Sequence, residues 1–338
     1  MKKILALVHT RNLEFVRDKE GMTWNLFVPL FLLFALNLIF SGANKALFNI
    51  GILGESQSKV VNEQALLSLP NVKYHYFTDE AKAKKQLEQH QIELLLNNQE
   101  GQESYWVNKN SDKSQFLGHI IEQHYPKLKQ QESTGVALRY VDWVLPGVLA
   151  INMMYSCLYG IGYGIIRYRR MGYLKRLHTT PLKAIEFLSA QVISRLLITQ
   201  IVVTVIFVGC WLLFSPRIEG SILQLLCLSV LGALSLISVA LLISARGQSE
   251  ELSRGLLEMA AWPMLMLSGA FFTLDEAHPM LKMLANFLPL THIVSSARDI
   301  LLYGATWAEL ASRYLILGLM TVVLLVSASM LFCWQSNS

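Results

Sequence analysis

Charge and cysteine are both scarce in this chain of 338 residues. Only 16% of the residues are charged and 53% are hydrophobic, whereas about a quarter of the residues of a soluble domain are charged. The cysteines lie in apolar runs or at the edge of one: Cys157, Cys210, Cys227 and Cys333. None forms a CxxC pair, so the pattern favours small buried apolar cysteines over a disulfide framework or a metal site.

Motifs for nucleotide hydrolysis and for hydrolytic chemistry are also missing. The dipeptide Gly-Lys, which a phosphate-binding loop requires, never occurs, and there is no H-E-x-x-H or G-x-S-x-G. The histidines of the large polar segment are scattered, as solvated surface residues are: His75, His90, His119 and His124. We therefore predict a chain that is not an enzyme, that holds no metal or cofactor and that binds no nucleic acid. Any ATP and Mg it uses are bound by a separate subunit.

Long apolar stretches are what the chain has in excess. They cover Met22–Phe40, Val144–Ile166, Leu196–Phe214, Ile222–Ile243, Met259–Leu274 and Tyr314–Trp334. A helix needs about 20 apolar residues to cross about 30 Å of hydrocarbon. The sequence thus predicts an all-α bundle of six transmembrane spans. The apolar residues after Lys2 and Lys3 are too few for a cleavable signal, so we expect the first span to be a retained anchor.

The distribution of lysine and arginine orients these spans. Basic residues concentrate in the N-terminal segment and in the connection between spans two and three, and the connection between spans four and five adds two more. The positive-inside rule therefore places both termini in the cytoplasm. The segment between spans one and two is too long for its charges to influence the orientation of the spans. Because successive connections lie on alternate sides of the membrane, this segment is expected to be external.

Four regions follow from this layout. Residues 1–21 form a cytoplasmic interfacial helix, 22–42 the first span, 43–140 an external α/β domain and 141–338 five further spans. Within 43–140 we predict strands at 72–76, 92–96 and 105–107, a helix 79–89 capped by Thr78, and a second helix capped by Ser111 or Asp112. Strand and helix alternate there, which indicates one compact unit.

The basic segment RYRRMGYLKRLHTTPLKAIEF begins at Arg167, just after span two. Arg167, Arg169 and Arg170 are expected to meet lipid headgroups. Residues 171–182 have helical character, and the Thr180–Pro181 pair ends that helix. A short amphipathic helix here is suited to dock on a soluble partner. The residues assigned to this docking are Met171, Gly172, Tyr173, Leu174, Lys175, Arg176, Leu177, His178, Thr180 and Pro181.

A second set of polar residues lies inside or beside the spans. Arg195 interrupts an apolar stretch, and Glu258 lies at the inner start of span five. Charges at such depth pair with each other, line a water-filled path or reach back to the interface. An Arg195–Glu258 pair and snorkelling both remain open. Asn37 and Asn152 are the further candidates for a substrate pathway.

Span five is short, and the segment after it is apolar but too short to cross. We predict outer re-entrant helices over 275–305, with an outer gate at Phe271, Phe272 and Pro289.

Taken in order, these segments resemble the permease subunits of bacterial type-2 ATP-binding-cassette exporters over nearly the whole chain. ILALVHTRNLEFVRDKEGMTWNLFVPLFLLFAL is similar to their approach to the first span, and RMGYLKRLHTTPLKAIEFLSAQVI to their coupling helix. LSGAFFTLDEAHPMLKMLANFLPLTHIVSSARDILLYG is similar to their fifth-span motif, except that no proline soon follows Phe272. The resemblance implies a dimer with an identical or paralogous permease, two cytoplasmic ATPase subunits and the bacterial inner membrane. A periplasmic adaptor remains open.

The function that follows is that of an exporter permease. It would move amphipathic or hydrophobic small molecules, drug-like or lipid-like, out of the cytoplasm or inner leaflet, driven through the coupling helix. The alternative is a non-transporting sensor or assembly scaffold whose external domain binds a ligand. An adjacent gene for an ATPase with a phosphate loop would favour export.

Overall fold

The computed structural model of the protein describes residues 2–40, 48–53, 72–88, 91–97, 104–124, 126, 128–134, 139–216, 218–245, 250–271 and 278–332. The chain divides into two compact units. The first comprises Met1–Asn37 and Val141–Ser338, and the second Leu38–Tyr140.

The elements follow one another in this order: α1 (Lys2–Arg17), α2 (Lys19–Phe40), β1 (Phe48–Leu53), β2 (Val72–Phe77), α3 (Glu80–Glu88), β3 (Leu94–Asn97), β4 (Ser104–Asn108), α4 (Asp112–His124), β5 (Lys129–Ser133), α5 (Tyr140–Cys157), a π-helix (Leu158–Tyr163), α6 (Gly164–Arg170), α7 (Tyr173–His178), α8 (Ala184–Phe214), α9 (Ile222–Ala245), α10 (Glu250–Leu267), α11 (Pro279–Ala285), α12 (Pro289–Tyr303) and α13 (Trp307–Leu331).

Four helices of the first unit are long and apolar enough to cross a membrane, within the described part of the chain. They are Val141–Arg170, which joins α5, the π-helix and α6, and then α8, α9 and α13. These four coincide with the second, third, fourth and sixth predicted spans. The first and fifth predicted spans form α2 and α10, which are not among the four. The first half of α10 is polar, with Glu251, Arg254 and Glu258.

Helix α9 lies at the centre of the first unit and packs against α8, α12, α13 and the π-helix. Its buried face is rich in small residues, among them Ala233, Ser235 and Ala240. A side chain at Gly232 would come within 2.8 Å of Ile293 on α12. Small residues at such positions let helices approach closely, which is the main source of helix packing in lipid. The opposite faces of α8 and α13 expose leucine, valine and methionine, as lipid-facing helices do.

The segment predicted as re-entrant contains two short helices, α11 and α12, of 7 and 15 residues. Both are too short to span a bilayer. Residues 275–277 of the predicted segment lie outside the described residues. Helix α12 is held in place from two sides. Arg298 donates to the Gly269 carbonyl at 3.0 Å and lies 4.2 Å from the ring centre of Trp143, and Arg313 pairs with Asp299 at 2.6 Å.

The second unit is a five-stranded sheet in the order β2-β1-β3-β4-β5, with only the β3–β4 pair antiparallel within the described strands. Alternate residues of each strand face opposite sides. Leu94, Leu96 and their neighbours pack with α4 on one face, while Leu95 packs with α3 on the other. Because both faces are covered, every residue of β3 is buried.

The observed elements confirm three predicted strands and both predicted helices of this unit. Asp79, not Thr78, caps α3, since its carboxylate accepts from the Ala81 amide at 2.9 Å. Ser111 is the cap of α4, where the Ser114 amide donates to its hydroxyl at 3.3 Å. Tyr76 is 53% exposed, because β2 is an edge strand. The sequence analysis did not predict strands β1 and β5.

Candidate functional site

The predicted docking segment forms a helix shorter than expected. Helix α7 covers only Tyr173–His178, and Gly172 precedes it with φ 68°, in the left-handed region that favours glycine. No atom lies within 4 Å of a Cβ built at Gly172, so its backbone angle is what restricts this position. At the other end, the Thr180 hydroxyl donates to the Leu177 carbonyl at 2.6 Å, and Pro181 follows. These groups close the helix.

The apolar side of α7 faces the protein. Leu174, which the sequence grouped with the docking residues, is 0% exposed and belongs to the main core, and Leu177 packs against that core. Met171 is 67% exposed and Tyr173 37% exposed. The other exposed residues of the segment 171–182 are Lys175, Arg176, His178, Thr179, Thr180 and Pro181. Leu174 therefore seats the helix, and a partner would meet the outer residues.

Helix α1, predicted as an N-terminal interfacial helix, forms over Lys2–Arg17 and packs along α8. The Ser194 hydroxyl donates to Asn12 at 2.6 Å. The Lys3 ammonium donates to the Pro181 carbonyl at 2.6 Å. Helix α1 is thus fastened both to α8 and to the chain that follows α7.

Glu14 is the centre of an ionic cluster between α1 and α6. Its carboxylate accepts from Arg11 at 2.7 Å and also from Arg167 and the Tyr168 hydroxyl. Burial alone would raise the pKa of Glu14, but the Tyr168 hydrogen bond and the two arginine charges outweigh it and lower the pKa. The cluster ties the N-terminal helix to the last turn before α7.

Two of the three arginines predicted to meet lipid headgroups have partners within the protein. Arg167 belongs to the Glu14 cluster. Arg169 donates to the carbonyls of Ser244 and Ala245, both at 3.2 Å, at the C-terminal end of α9. A cation there satisfies carbonyls that have no partner within the helix. Arg170 is exposed.

The last turn of α5 and the π-helix that follows it add two more arginine contacts in the same region. The Gly160 carbonyl accepts from Arg11 at 2.6 Å, and Nη2 of Arg195 donates to the Ser156 carbonyl and, at 2.6 Å, to its hydroxyl. A Cβ at Gly160 would lie 1.9 Å from Cζ of Arg195, and one at Gly164 2.5 Å from Arg11. The two glycines leave the room that both guanidinium groups occupy.

The structure does not bring the predicted pathway residues into one set. Arg195 binds Ser156, whereas Glu258 accepts a hydrogen bond from the Tyr159 hydroxyl. Asn152 donates to the Asn25 carbonyl at 3.1 Å. The side chain of Asn37 lies outside the described residues. Arg195 itself is buried within the bundle, at 7% exposure.

The predicted outer-gate residues are only partly described. Phe271 is half-buried against the main core, and Pro289 is buried at the first position of α12. Proline is favoured there because that position needs no amide hydrogen. Phe272 lies outside the described residues.

A polar cleft of about 510 Å³ lies between α1, the start of α2, the π-helix and α8. Arg11, Glu14, Arg167 and Arg195 line it, together with Tyr155 and Tyr159. A smaller apolar pocket of about 140 Å³ lies between α5, α8, α9 and α12. The sequence indicated Arg195 but missed the Glu14 cluster. Its only signal was the spacing of Arg11 and Glu14, which lie three residues apart on α1.

Chemistry at these sites is limited by the residues present. In the described ranges, no group of three or more His, Cys, Asp or Glu could hold a metal ion. The cysteines described there, Cys157, Cys210 and Cys227, are free thiols. The cleft near α1 can therefore interact with a bound molecule through charged groups and hydrogen bonds.

Comparison with known proteins identifies a family. The family model described as ABC-2 type transporter matches residues 110–302, which is more than half of the chain. No curated protein matches. The matched residues run from the start of α4 to the end of α12 and include α7 and Arg195. Members of this family are membrane components of transporters, do not themselves catalyse a reaction and work with an ATPase. The chain belongs to the ABC-2 type transporter family and is the multi-pass membrane permease component of an ABC transporter.

Proposed function

We propose that this permease is the membrane subunit of an ATP-driven exporter in a bacterial cytoplasmic membrane. It carries amphipathic or hydrophobic small molecules, drug-like or lipid-like, out of the cytoplasm or the inner leaflet. It works as a dimer with a second copy or a paralogue, with both termini in the cytoplasm and the unit 43–140 outside, where a periplasmic adaptor could reach it. ATP and Mg are bound by the partner ATPase.

Six spans are part of this proposal. Helix α2 has 22 residues and is therefore about 33 Å long, enough to cross the hydrocarbon. From Trp24 onward the exposed side chains that the structure describes are large and apolar, including Trp24, Phe27 and Phe31, which suits a lipid-facing surface. Helix α10 has 18 residues with a polar first half and an apolar second half. That pattern suits a span that begins at the cytoplasmic interface.

The exposed outer face of α7 carries the proposal. Tyr173, Lys175 and Arg176 of α7 are exposed, as is Met171 just before the helix, while Leu174 is buried in the core. Helix α7 follows the span Val141–Arg170 and precedes α8 by five residues. A force applied to α7 by a moving ATPase thus reaches two spans directly. Such a lever on a two-state bundle is what transport driven from outside the membrane requires.

The two cavities of the first unit suit an amphipathic cargo. The cleft near α1 presents charged groups, and the pocket between α5, α8, α9 and α12 is almost wholly apolar. A molecule with a polar head and an apolar body finds complementary surfaces in the same bundle.

The proposal is tested by purification and reconstitution. Tagged chain is extracted in detergent, the co-purifying subunits are identified, and the complex is reconstituted into vesicles with a fluorescent phospholipid. We expect a subunit with a phosphate loop, and ATP-dependent movement of the label that a non-hydrolysable ATP analogue does not support. An assembled complex that binds ATPase yet moves no amphiphile, over a panel of lipid-like and drug-like probes, would favour the sensor or scaffold alternative.

The orientation has its own test. A cysteine is placed at Lys113, on the exposed side of α4, in a variant without native cysteines. A membrane-impermeant thiol reagent should label it from outside intact cells. Labelling only after the cells are broken would place the α/β unit in the cytoplasm and contradict the proposed topology.

A further inference from the structure

The polar cleft between α1, α2, the π-helix and α8 has an excess of positive charge. Its lining includes three cations, Arg11, Arg167 and Arg195, and two acids, Glu14 and Asp18. Arg11 and Arg167 both bind Glu14. The Asp18 carboxylate accepts from the Gly21 amide at 3.0 Å. The five groups therefore sum to a net charge of +1, and Arg195 is the one of these three cations that contacts neither of the two acids.

Arg195 has only neutral hydrogen-bond partners among the described residues. Its Nη2 donates to the carbonyl and the hydroxyl of Ser156, and its guanidinium lies 6.0 Å from the ring centre of Phe15. No Asp or Glu of the described ranges forms an ion pair with it. Its Nε has no hydrogen-bond partner, although the atom is buried and the residue is only 7% exposed.

A buried cation in this state is unfavourable. Charges inside a membrane protein normally pair, and a buried donor without a partner loses its hydration without replacement. The surroundings nevertheless hold the group firmly. Gly160 leaves space for it, and Ser156 fixes one edge of the guanidinium. An arginine held by one edge can offer its remaining donors to a planar or tetrahedral oxyanion.

The size of the cleft distinguishes between possible anions. A volume of about 510 Å³ falls in the range of about 300–1,000 Å³ that is usual for small-molecule sites. A free phosphate would leave most of it empty. Tyr155 and Tyr159 stack with ring centres 5.8 Å apart beside the charged groups, and Ile198 also lines the cleft. Hydroxyl, aromatic and apolar surfaces next to a cation fit a phosphate ester with an organic body.

We propose that this cleft binds the phosphate headgroup of an anionic amphiphile, with Arg195 as the main ligand of the phosphate oxygens. The claim that this cleft is the cargo site of an exporter rests on the proposed function, whereas the claim that it binds the headgroup does not. Arg11 and Arg167 add positive potential from the rim, while Glu14 holds them in place. The phosphate group is the shared chemistry of two sources, a phospholipid and free phosphate, and the size of the cleft favours the lipid.

The test measures binding without ATP. The detergent-purified full chain with its co-purified subunits is titrated with dihexanoyl phosphatidylglycerol, with inorganic phosphate and with dihexanoyl phosphatidylcholine, which has no net charge. Arg195→Gln removes the charge, and Arg139→Gln, at an exposed arginine of the second unit, is the matched control. We expect saturable binding of the anionic lipid, weakened at least about tenfold by Arg195→Gln and unchanged by Arg139→Gln.

A second variant tests the proposal in case Arg195→Gln does not fold. Gly160→Ala keeps the arginine but places a methyl group 1.9 Å from Cζ, so it should also weaken lipid binding. Gel filtration and the melting temperature show whether each variant is folded.

Three results would overturn the proposal: no saturable binding of the anionic lipid, equal affinity in folded Arg195→Gln and unaltered protein, or inorganic phosphate binding as tightly as the lipid. Lipid binding without ATP-dependent transport would contradict the proposed export function but support the binding site. Transport that is unaffected by Arg195→Gln would instead support export and show that the cleft is not on the cargo path.

Discussion

Replacing Leu174 with alanine tests how α7 is held. Leu174 is 0% exposed and lies in the main core, whereas Met171, three residues earlier, is 67% exposed. A buried Leu→Ala change lowers stability by about 2–5 kcal/mol, and an exposed substitution by about 0.5 kcal/mol or less. Because α7 is a helix of 6 residues, we expect most of the Leu174→Ala effect as local opening, not as unfolding of the whole bundle.

Hydrogen exchange measures this opening directly. The Arg176 amide bonds to the Gly172 carbonyl at 3.2 Å, and the Thr180 amide to the Leu177 carbonyl at 3.0 Å. A loss of about 2 kcal/mol accelerates their exchange about 30-fold, since about 1.4 kcal/mol corresponds to a factor of 10. Leu174→Ala should show this acceleration at both amides. Met171→Ala should leave both amides as protected as in the unaltered protein.

The same two variants should have separate effects on coupling. In the reconstituted complex, we expect Met171→Ala to reduce the stimulation of ATPase activity by cargo although α7 remains protected, because the change removes an outer contact with the partner. If the two amides of Leu174→Ala were as protected from exchange as in the unaltered protein, Leu174 would not be the residue that anchors α7 in the core. Full stimulation in Met171→Ala would count against a partner on the outer face.

Three further predictions concern stability. Gly220→Ala should lower the melting temperature, because its Cβ would lie 2.3 Å from the Ile300 carbonyl oxygen, whereas Gly318→Ala has open space and should leave it unchanged or raise it by improving helix propensity. Glu14 has a lowered carboxyl pKa, so the stability that its carboxylate contributes is complete above the ordinary carboxyl pKa and is lost as the pH falls through the lowered value. The melting-temperature difference between the unaltered protein and Glu14→Gln should therefore be largest near neutral pH and vanish in acid. A difference that stays constant with pH would contradict this prediction. Leu95→Ala, at a position 0% exposed in the sheet, should destabilise the α/β unit by about 2–5 kcal/mol and speed amide exchange in its strands, with no change in α7.

Sequence analysis performed best where the determining interactions are local. Long apolar runs predict helices because every backbone group must be satisfied within the helix once lipid surrounds it. The strand at 105–107 and the cap at Ser111 follow from alternation and from side-chain hydrogen bonds a few residues apart. The strand β5, with the polar sequence Lys-Gln-Gln-Glu-Ser, has no such pattern and is a strand only because β4 offers it a partner.

The sequence by itself therefore determined the membrane character, the α/β insertion and the exposed basic segment at 171–182, because hydropathy, periodicity and chain breakers act within one element. The tertiary structure alone decided which way α7 faces, that Arg167 pairs with Glu14, and that Arg195 lies against Gly160 and not against Glu258. Each of these contacts joins residues far apart in the chain. Their partners depend on how the helices pack, and the spacing of residues along one helix does not encode that packing.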